Sequence, residues 1–257
     1  LGKALKGKRK NVVLVSKCGI TWHENKRVDL NNSPQVCRQT LEQSLKDLQT
    51  DYIDVYMVHW PDPRTDICDT TQELIKAREE GKIRSIGLCN TNRHEYDRAR
   101  NLVPIDVFQS QFNLFVDEAK EELFDLVKKE EIGFMGWGTF DKGILTGSVD
   151  REREKKKQYD ACDARSNAPW WKDMNKEARF EAVDRLKRFL SDHPFELMDV
   201  ALHYSLMFEQ TTTALCGGKS MAQWSSLFES YERRVPKEVL LKAKSIVKEV
   251  FKEHGQS

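Results

Sequence analysis

Short apolar runs alternate with amphipathic helical patterns along nearly the whole chain, and this alternation restricts the fold more than any other feature. The runs are rich in β-branched and aromatic residues and are largely apolar on both faces, which is typical of strands buried in a parallel sheet. Strands are predicted at residues 11–16, 52–59, 83–88, 105–109, 132–137 and 211–216. Strands that alternate with helices in this way predict right-handed βαβ units and therefore an α/β fold.

The predicted helices carry start and stop signals of their own. Ser33 and Pro34 predict an N-cap and a first helical residue, and Asp69 is predicted to cap the next helix, which ends at Gly81. Further helices are predicted around residues 119–127, 183–190, 197–204 and 236–251. Between strand and helix signals, residues 148–172 form a polar stretch that predicts an active-site loop, with the mixed-charge run at residues 151–157 as solvated chain.

A doubly wound sheet is the competing architecture, and it requires a glycine-rich turn after its first strand. The first strand here runs into Lys17-Cys18-Gly19-Ile20, and the sequence contains no GxGxxG. A (β/α)8 TIM-type barrel is therefore favoured, although such a barrel needs eight strands. We expect the first two strands to be absent from this sequence, and residues 1–257 to form a single, N-terminally incomplete barrel domain without an internal linker.

Composition and charge argue against several classes of protein, namely those that bind nucleic acid, membranes or metal ions. The net charge is +1, so no overall field favours nucleic acid or an anionic membrane. The six cysteines form no CxxC pair and have no histidine at metal-ligand spacing, so no metal site is predicted. No apolar run is long enough to span a bilayer. These features, with the absence of a signal peptide pattern, predict a cytoplasmic protein whose partner is a small molecule; they leave the oligomeric state open.

Polar or aromatic side chains stand where the predicted strands finish. They are Lys17, His59, Asn90, Gln109, Trp137 and the turn Gly217-Gly218-Lys219-Ser220. Functional groups of a (β/α)8 barrel gather at the carboxyl ends of its strands, so these groups are expected to converge on one mouth. Each has a structural alternative, because a lone lysine can be a surface residue, a lone histidine or amide can be a satisfied core group, and a tryptophan can be core packing.

The phrases that contain these residues resemble the aldo-keto reductases. They are VLVSKCG, LEQSLKDLQTDYIDVYMVHWPDP, GKIRSIGLCN, DVFQSQFNLF and KGILTG, and the similarity runs from the first residue to about residue 220. The sequence resembles most the bacterial and plant branch that is also similar to potassium-channel β subunits. The resemblance implies hydride transfer between NADPH and an aldehyde or ketone, or oxidation of the alcohol, with a tyrosine as general acid whose acidity a lysine and a histidine adjust.

The resemblance also implies a role for each matching residue. Lys17 and His59 match the catalytic lysine and histidine. The implied cofactor-binding residues are Asn90 and Gln109 at the nicotinamide carboxamide, Trp137 against its ring, Lys142, Leu145 and Gly147 at the pyrophosphate, Gly218, Lys219 and Ser220 at the 2′-phosphate, and Gln223 at the adenine. Trp22 and Trp60, with Trp170 and Trp171, are expected to form walls of the substrate pocket.

The sequence departs from the family pattern in two places. The resemblance implies a catalytic tyrosine and a partner aspartate in a segment that would precede Leu1. Either this sequence is part of a longer protein that contains them, or the protein is a shortened pseudoenzyme that has lost them. Tyr52 and Asp54 cannot replace them, because they stand at the opposite end of their strand. Ser225-Ser226-Leu227 replaces the usual Glu-Asn that contacts the adenine, so affinity for NADP(H) is expected to be reduced. A non-catalytic nucleotide- or partner-binding protein, and a non-redox reaction on the same barrel, are the alternative functions.

Overall fold

The structure, a computed structural model, describes residues 1–22, 28–157, 159–160 and 163–255. Its strands are β1 (Val15–Cys18), β2 (Ile20–Trp22), β3 (Val28–Leu30), β4 (Ile53–Val58), β5 (Ile83–Cys89), β6 (Val107–Gln111), β7 (Gly133–Trp137) and β8 (Thr211–Ala214). Its α-helices are α1 (Gly2–Leu5), α2 (Pro34–Leu48), α3 (Ile67–Glu79), α4 (Arg93–Arg100), α5 (Ala119–Lys129), α6 (Arg151–Lys156), α7 (Ala164–Asn167), α8 (Pro169–Lys172), α9 (Lys176–Leu190), α10 (Leu197–Leu206), α11 (Met221–Glu232) and α12 (Lys237–Glu253). Two 3-10 segments, Arg9–Asn11 and Asp141–Thr146, complete the described elements.

Six of the strands form one sheet in the order β1-β4-β5-β6-β7-β8, so strands that neighbour one another in the sheet also follow one another along the chain. The pairs β1–β4, β4–β5 and β5–β6 are parallel. This arrangement confirms the α/β class and the (β/α)8-type fold that the alternating pattern predicted. All six predicted strands are present with shifted ends. The prediction that two further strands precede Leu1 stays a prediction.

Two short strands were missed by the sequence analysis. β2 and β3 form an antiparallel hairpin, with Ile20 opposite Leu30 and Trp22 opposite Val28. Each has only three residues, and a polar residue stands in the middle of both. Such segments lack the apolar run that reveals a buried strand.

Contacts divide the chain into two compact units. The first comprises Leu1–Ser110 and Ala119–Met135, and the second comprises Gln111–Glu118 and Gly136–Ser257. The prediction of one domain over residues 1–257 stays a prediction.

The first unit contains β1, β4, β5, most of β6 and the start of β7, with α2 and α3 packed on the strands. Helix α2 begins at Pro34 as predicted, but the Ser33 side chain makes no capping hydrogen bond. Helix α3 is capped by Asp66, whose carboxylate accepts the Cys68 N–H; the prediction of Asp69 was wrong by one turn, because Asp69 lies inside the helix. This capping fixes where the loop after β4 ends and α3 begins.

The second unit has its core between α9, α10 and α12, which pack on one another. The charged run at residues 151–156 is a helix, α6, because Asp150 caps it by accepting the Arg153 N–H. The predicted loop of residues 148–172 therefore contains short helices. Trp171 is only 2% exposed and donates to Glu154, so it is a core residue and the prediction that it walls a substrate pocket was wrong.

Among the described residues, none of the helices combines the length and the apolar character that crossing a membrane requires.

Candidate active site

In the first unit, Lys17 and His59 lie at the carboxyl ends of adjacent parallel strands. Lys17 is in register with Met57 of β4, and the His59 N–H donates to the Cys18 carbonyl across 3.2 Å. Burial, and secondarily the charge of Lys17, lower the pKa of His59 to about 4. Because an imidazole loses water on burial and meets a like charge, it stays neutral at neutral pH. The structure thus brings together an ammonium and a neutral imidazole.

Asn90 follows β5 and ties three strand ends together. Its amide nitrogen donates to the His59 carbonyl across 3.1 Å, and its backbone N–H donates to the Gln109 carbonyl across 2.8 Å. The backbone of Asn90 has φ 54°, a left-handed conformation that asparagine adopts more readily than most residues. The residue type therefore suits both the backbone turn and the hydrogen bonding at this strand end.

Gln109 occupies β6 in register with Cys89 and is only 3% exposed. Its amide oxygen accepts from the Cys89 thiol at 3.5 Å, whereas its nitrogen faces the thioether sulfurs of Met57 at 3.7 Å and Met135 at 3.9 Å. Thioethers are weak acceptors, so the two N–H donors of this buried amide are poorly satisfied within the protein. Buried polar groups normally find strong partners, and an exception of this kind is suited to a ligand carbonyl oxygen.

Cys89 contributes a neutral thiol to this cluster. Burial raises the pKa of Cys89 to about 12, although the charge of Lys17 acts in the opposite direction. The thiol is therefore protonated at neutral pH, which is the form that donates to Gln109.

Trp60 follows His59 and is 40% exposed, and its predicted place in the wall of a substrate pocket stays a prediction. Its carbonyl accepts from the buried side chain of Asn32, and the Asn32 N–H donates to Asp62. These bonds join the end of the β2–β3 hairpin to the loop after β4. Sequence reasoning missed Asn32 and Asp62, since neither stands at the end of a predicted strand. The backbone of Trp22 ends β2, but its side chain lies outside the described residues.

Tyr52 and Asp54 lie at the amino end of β4, the opposite end of the strand from His59. The guanidinium groups of Arg9 and Arg84 stand 4.0 Å and 3.9 Å from the centre of the Tyr52 ring, and both pair with Asp54. Five residue steps along the strand separate Asp54 from His59, about 16 Å at ~3.3 Å per residue. The Tyr52 and Asp54 side chains are therefore remote from the end of the strand at which His59 stands.

In the second unit, Trp137 ends β7 half-buried, and its carbonyl accepts the Phe112 N–H. The turn that follows places Asp141, Lys142 and Gly143 at φ 40°, 58° and 97°. The Asp141 carboxylate is fully buried and pairs with Lys142 at 3.1 Å and Arg179 at 3.0 Å. Lys142, predicted to meet a phosphate, thus already has an anionic partner.

Leu145 and Gly147, both predicted to lie at the pyrophosphate, have different surroundings. The Leu145 side chain is fully buried in the core of the second unit, and its N–H donates to the Phe140 carbonyl. Gly147 has φ 72°, a conformation that favours glycine, and an added Cβ there would stand 3.5 Å from the Lys187 ammonium. Lys187 is a cation beside this turn that the sequence analysis did not single out.

The turn before α11 holds the other predicted phosphate residues. The Ser220 hydroxyl accepts the Gln223 N–H at 3.3 Å, and the Gln223 side-chain oxygen accepts the Lys219 N–H at 2.6 Å. Ser220 therefore caps the helix, Gln223 holds the backbone of the residue before the cap, and the Lys219 side chain is exposed. Trp224 packs beneath the turn, because a Cβ on Gly218 would lie 3.1 Å from its indole nitrogen.

Asp163 adds a negative charge to the surroundings of Lys219. Its hydrogen bonds from Arg165, together with the charge of Lys219, hold its pKa at about 2. An anion that binds Lys219 therefore does so near a permanent carboxylate.

Comparisons with known proteins identify the family of the chain. The model of the aldo/keto reductase family matches residues 1–248. Aldo-keto reductase YhdN of Bacillus subtilis is 31% identical over 89% of this chain and 69% of its own length. The NADH-specific methylglyoxal reductase of Escherichia coli is 27% identical over 87% of this chain and 71% of its own length.

A solved structure extends the agreement to the whole fold. The glycerol dehydrogenase of Gluconobacter oxydans superposes with a TM-score of 0.80 at 26% identity, covering 100% of this chain and 77% of that chain. The family match over residues 1–248 and the similarity to the Bacillus subtilis protein show that the chain belongs to the aldo/keto reductase family.

Proposed function

We propose that this protein reduces an aldehyde or ketone, or oxidises the corresponding alcohol, by hydride transfer with NADP(H). The observation that carries the proposal is the neutral His59 imidazole beside the Lys17 ammonium, at the ends of adjacent strands. A neutral imidazole donates a hydrogen bond to a carbonyl oxygen without a full positive charge of its own. The Lys17 ammonium stabilises negative charge that develops on that oxygen or on a neighbouring proton donor.

The resemblance implies a tyrosine as the proton donor, and we propose that this tyrosine lies upstream of Leu1. A nearby ammonium favours the phenolate and so lowers the pKa of a tyrosine, which brings it closer to the working pH. Lys17 is the described residue in position to do this at the His59 strand end. Tyr52 is excluded by its place among Arg9 and Arg84 at the amino end of β4.

The residues present fit a nicotinamide cofactor. The under-satisfied N–H donors of buried Gln109 suit a carboxamide oxygen, with Asn90 beside them. Trp137 would offer a flat ring to the nicotinamide, and the glycine turn with exposed Lys219 would hold the phosphate end. When bound, the cofactor supplies the hydride.

Two features bear on cofactor choice. Lys219 favours the 2′-phosphate of NADPH, whereas Asp163 nearby opposes a second negative charge. The E. coli relative is named as NADH-specific. Ser225-Ser226-Leu227 stand where the resemblance implies the adenine-reading Glu-Asn, and losing two hydrogen bonds at about 1 kcal/mol each reduces affinity roughly tenfold or more. We infer NADP(H) with reduced affinity.

The described cysteines support an intracellular setting for this reaction. Cys18, Cys37, Cys68, Cys89 and Cys216 are all free thiols. Free thiols persist in reducing compartments, and on that basis we propose the cytoplasm.

The test is a titration of the full-length protein with NADPH and with NADH, following cofactor fluorescence. We expect saturable binding of NADPH, and Lys219→Met weakens NADPH about tenfold while leaving NADH unchanged, because only NADPH carries the 2′-phosphate. Lys242→Met, on the surface of α12, is the matched control. A protein that gives no spectral change at saturating NADPH and NADH does not have this function.

Turnover separates the proposal from a non-catalytic binding protein. Methylglyoxal as a carbonyl substrate and glycerol as an alcohol are the first compounds to assay, by the change in nicotinamide absorbance. Lys17→Met and His59→Gln are expected to lower kcat at least 100-fold, whereas Lys46→Met on α2 leaves it unchanged. Cofactor binding without turnover on any carbonyl would instead support the non-catalytic alternative, which the altered adenine contacts favour.

A further inference from the structure

A cavity lies within the second unit, and no residue that lines it was assigned by the sequence analysis to catalysis or to the cofactor. It has a volume of about 690 Å³ and lies between the segment after β6, helix α9 and the last turns of α12. Ligand pockets commonly have volumes of ~300–1,000 Å³. The cavity is therefore large enough for a small organic molecule.

The floor of this cavity is apolar. Phe115 and Phe251 pack on each other with ring centres 5.6 Å apart, and Val116 and Val247 extend the surface. Burying an alkyl chain on such a surface is favourable by ~25 cal/mol per Å² of apolar area. The ligand should therefore have an apolar body.

The charges around the floor are unequal. Arg179 is committed to Asp141 at 3.0 Å, and Lys244 to Asp117 at 2.8 Å. Lys248 and Lys252 are one turn apart on the exposed side of α12, and neither has an ion pair within the described chain. Glu118 is the remaining carboxylate of the lining. Apart from the paired groups, the rim carries the ammonium groups of Lys248 and Lys252 and the carboxylate of Glu118. The rim therefore has an excess of one positive charge, which favours an anion.

We propose that this cavity binds a monocarboxylate with a short alkyl chain, the chain lying on Phe115, Val247 and Phe251 and the carboxylate at Lys248 and Lys252. A single negative charge matches the excess of one positive charge at the rim. A lysine ammonium binds an oxygen anion as a point charge, without the planar fork that guanidinium groups offer. The apolar floor distinguishes this ligand from a free inorganic anion.

The probe is octanoate, with octan-1-ol and acetate as the two matched compounds. Isothermal titration calorimetry should show saturable binding of octanoate and much weaker binding of both others, because one lacks the charge and the other lacks the chain. The methyl NMR signals of Val116 and Val247 should shift on titration with octanoate. Binding in which these methyl signals do not move places the carboxylate elsewhere and overturns the proposal.

The charge requirement is tested with Lys248→Gln/Lys252→Gln. Both side chains are exposed, so the variant is expected to fold normally and to bind octanoate at least fivefold more weakly. Lys237→Gln/Lys242→Gln removes the same charge from the same helix outside the cavity and should change affinity less than twofold. The proposal is overturned if the two variants lose the same affinity for octanoate, or if octan-1-ol binds as tightly as octanoate. It is also overturned if the protein self-associates through this face in the absence of ligand.

Discussion

His59 and Lys17 stand on neighbouring strands, and the ammonium acts together with burial to hold the pKa of the imidazole at about 4. A lysine and a histidine that only shared a surface would be screened from each other by water. Lys17 and His59 are both half-buried, so the surroundings of the carboxyl ends of β1 and β4 are partly dehydrated. This is the local environment in which a carbonyl oxygen is most strongly polarised.

Lys17→Met should raise the pKa of His59, since it removes the like charge. The rise should be incomplete, because burial is the larger cause of the depression and remains in the variant. NMR titration of the His59 ring signals gives the pKa directly. Lys46→Met on the exposed face of α2 serves as the control and should leave the His59 titration where it is; an equal shift in both variants would refute a local interaction.

Acid should destabilise the protein through His59. Its pKa is about 4 when folded and 6.5 in its ordinary state, so between these values the unfolded chain binds more protons. The stability is fully present above pH 6.5 and is lost as the pH falls towards 4. At pH 5 the loss from His59 is about 2 kcal/mol, an upper bound because the ring is only half-buried. His59→Gln should remove that part of the pH dependence of the free energy of unfolding, measured with urea at pH 7 and pH 5; parallel pH profiles of the two proteins would contradict it.

Gln109→Leu should weaken binding of the nicotinamide cofactor while leaving the free energy of unfolding nearly unchanged. Its N–H donors face only thioethers, so replacing the amide by an alkyl group of similar size should change the free energy of unfolding by less than about 1 kcal/mol. Loss of the donors should weaken nicotinamide binding about tenfold, since a buried ligand oxygen is then unpaired. Urea unfolding and cofactor fluorescence measure the two effects. Gln72→Leu, exposed on α3, is the control, and a large loss of stability with unchanged cofactor affinity would make Gln109 a purely structural residue.

Asp141→Asn should destabilise the second unit by about 3 kcal/mol, because the substitution leaves Arg179 and Lys142 without their buried anion. Asparagine accepts positive φ, so the substitution removes the charge with little backbone strain. Thermal unfolding at neutral pH measures the change. Asp173→Asn, at an exposed position after α8, should have almost no effect. Equal melting temperatures of the Asp141 variant and the original protein would show that the pairing contributes nothing.

Much of the fold could be predicted because the carboxyl parts of β4 and β5 are buried on both faces. Residues 55–58 and 86–89 are buried at every position and carry no charged side chain, and this left a clear pattern even though Asp54 and Arg84 precede them. The hairpin of β2 and β3 left no such pattern. Helix α6 also escaped prediction, because its charged residues read as solvated chain and only Asp150, as its cap, indicated a start.

The positions of Lys17, His59 and Asn90, at or directly after the ends of their strands, could be predicted from the sequence. Gln109 was predicted at the end of its strand but lies inside β6, which continues to Gln111. The partners that adjust them could not, since Asn32 comes to Trp60, and Met57 and Met135 come to Gln109, only through three-dimensional packing. Trp171 shows the opposite error, because an aromatic residue in a polar stretch belongs to a core formed by distant helices.

Position 90 requires a residue that adopts a left-handed backbone and also has a side-chain amide able to reach the His59 carbonyl, and few residue types satisfy both requirements. Glycine would accept its left-handed backbone but would remove the amide that reaches the His59 carbonyl, and glutamine would restore an amide at the cost of strain. Few substitutions can therefore be neutral here, and a deep mutational scan should find this position among the least tolerant in the barrel.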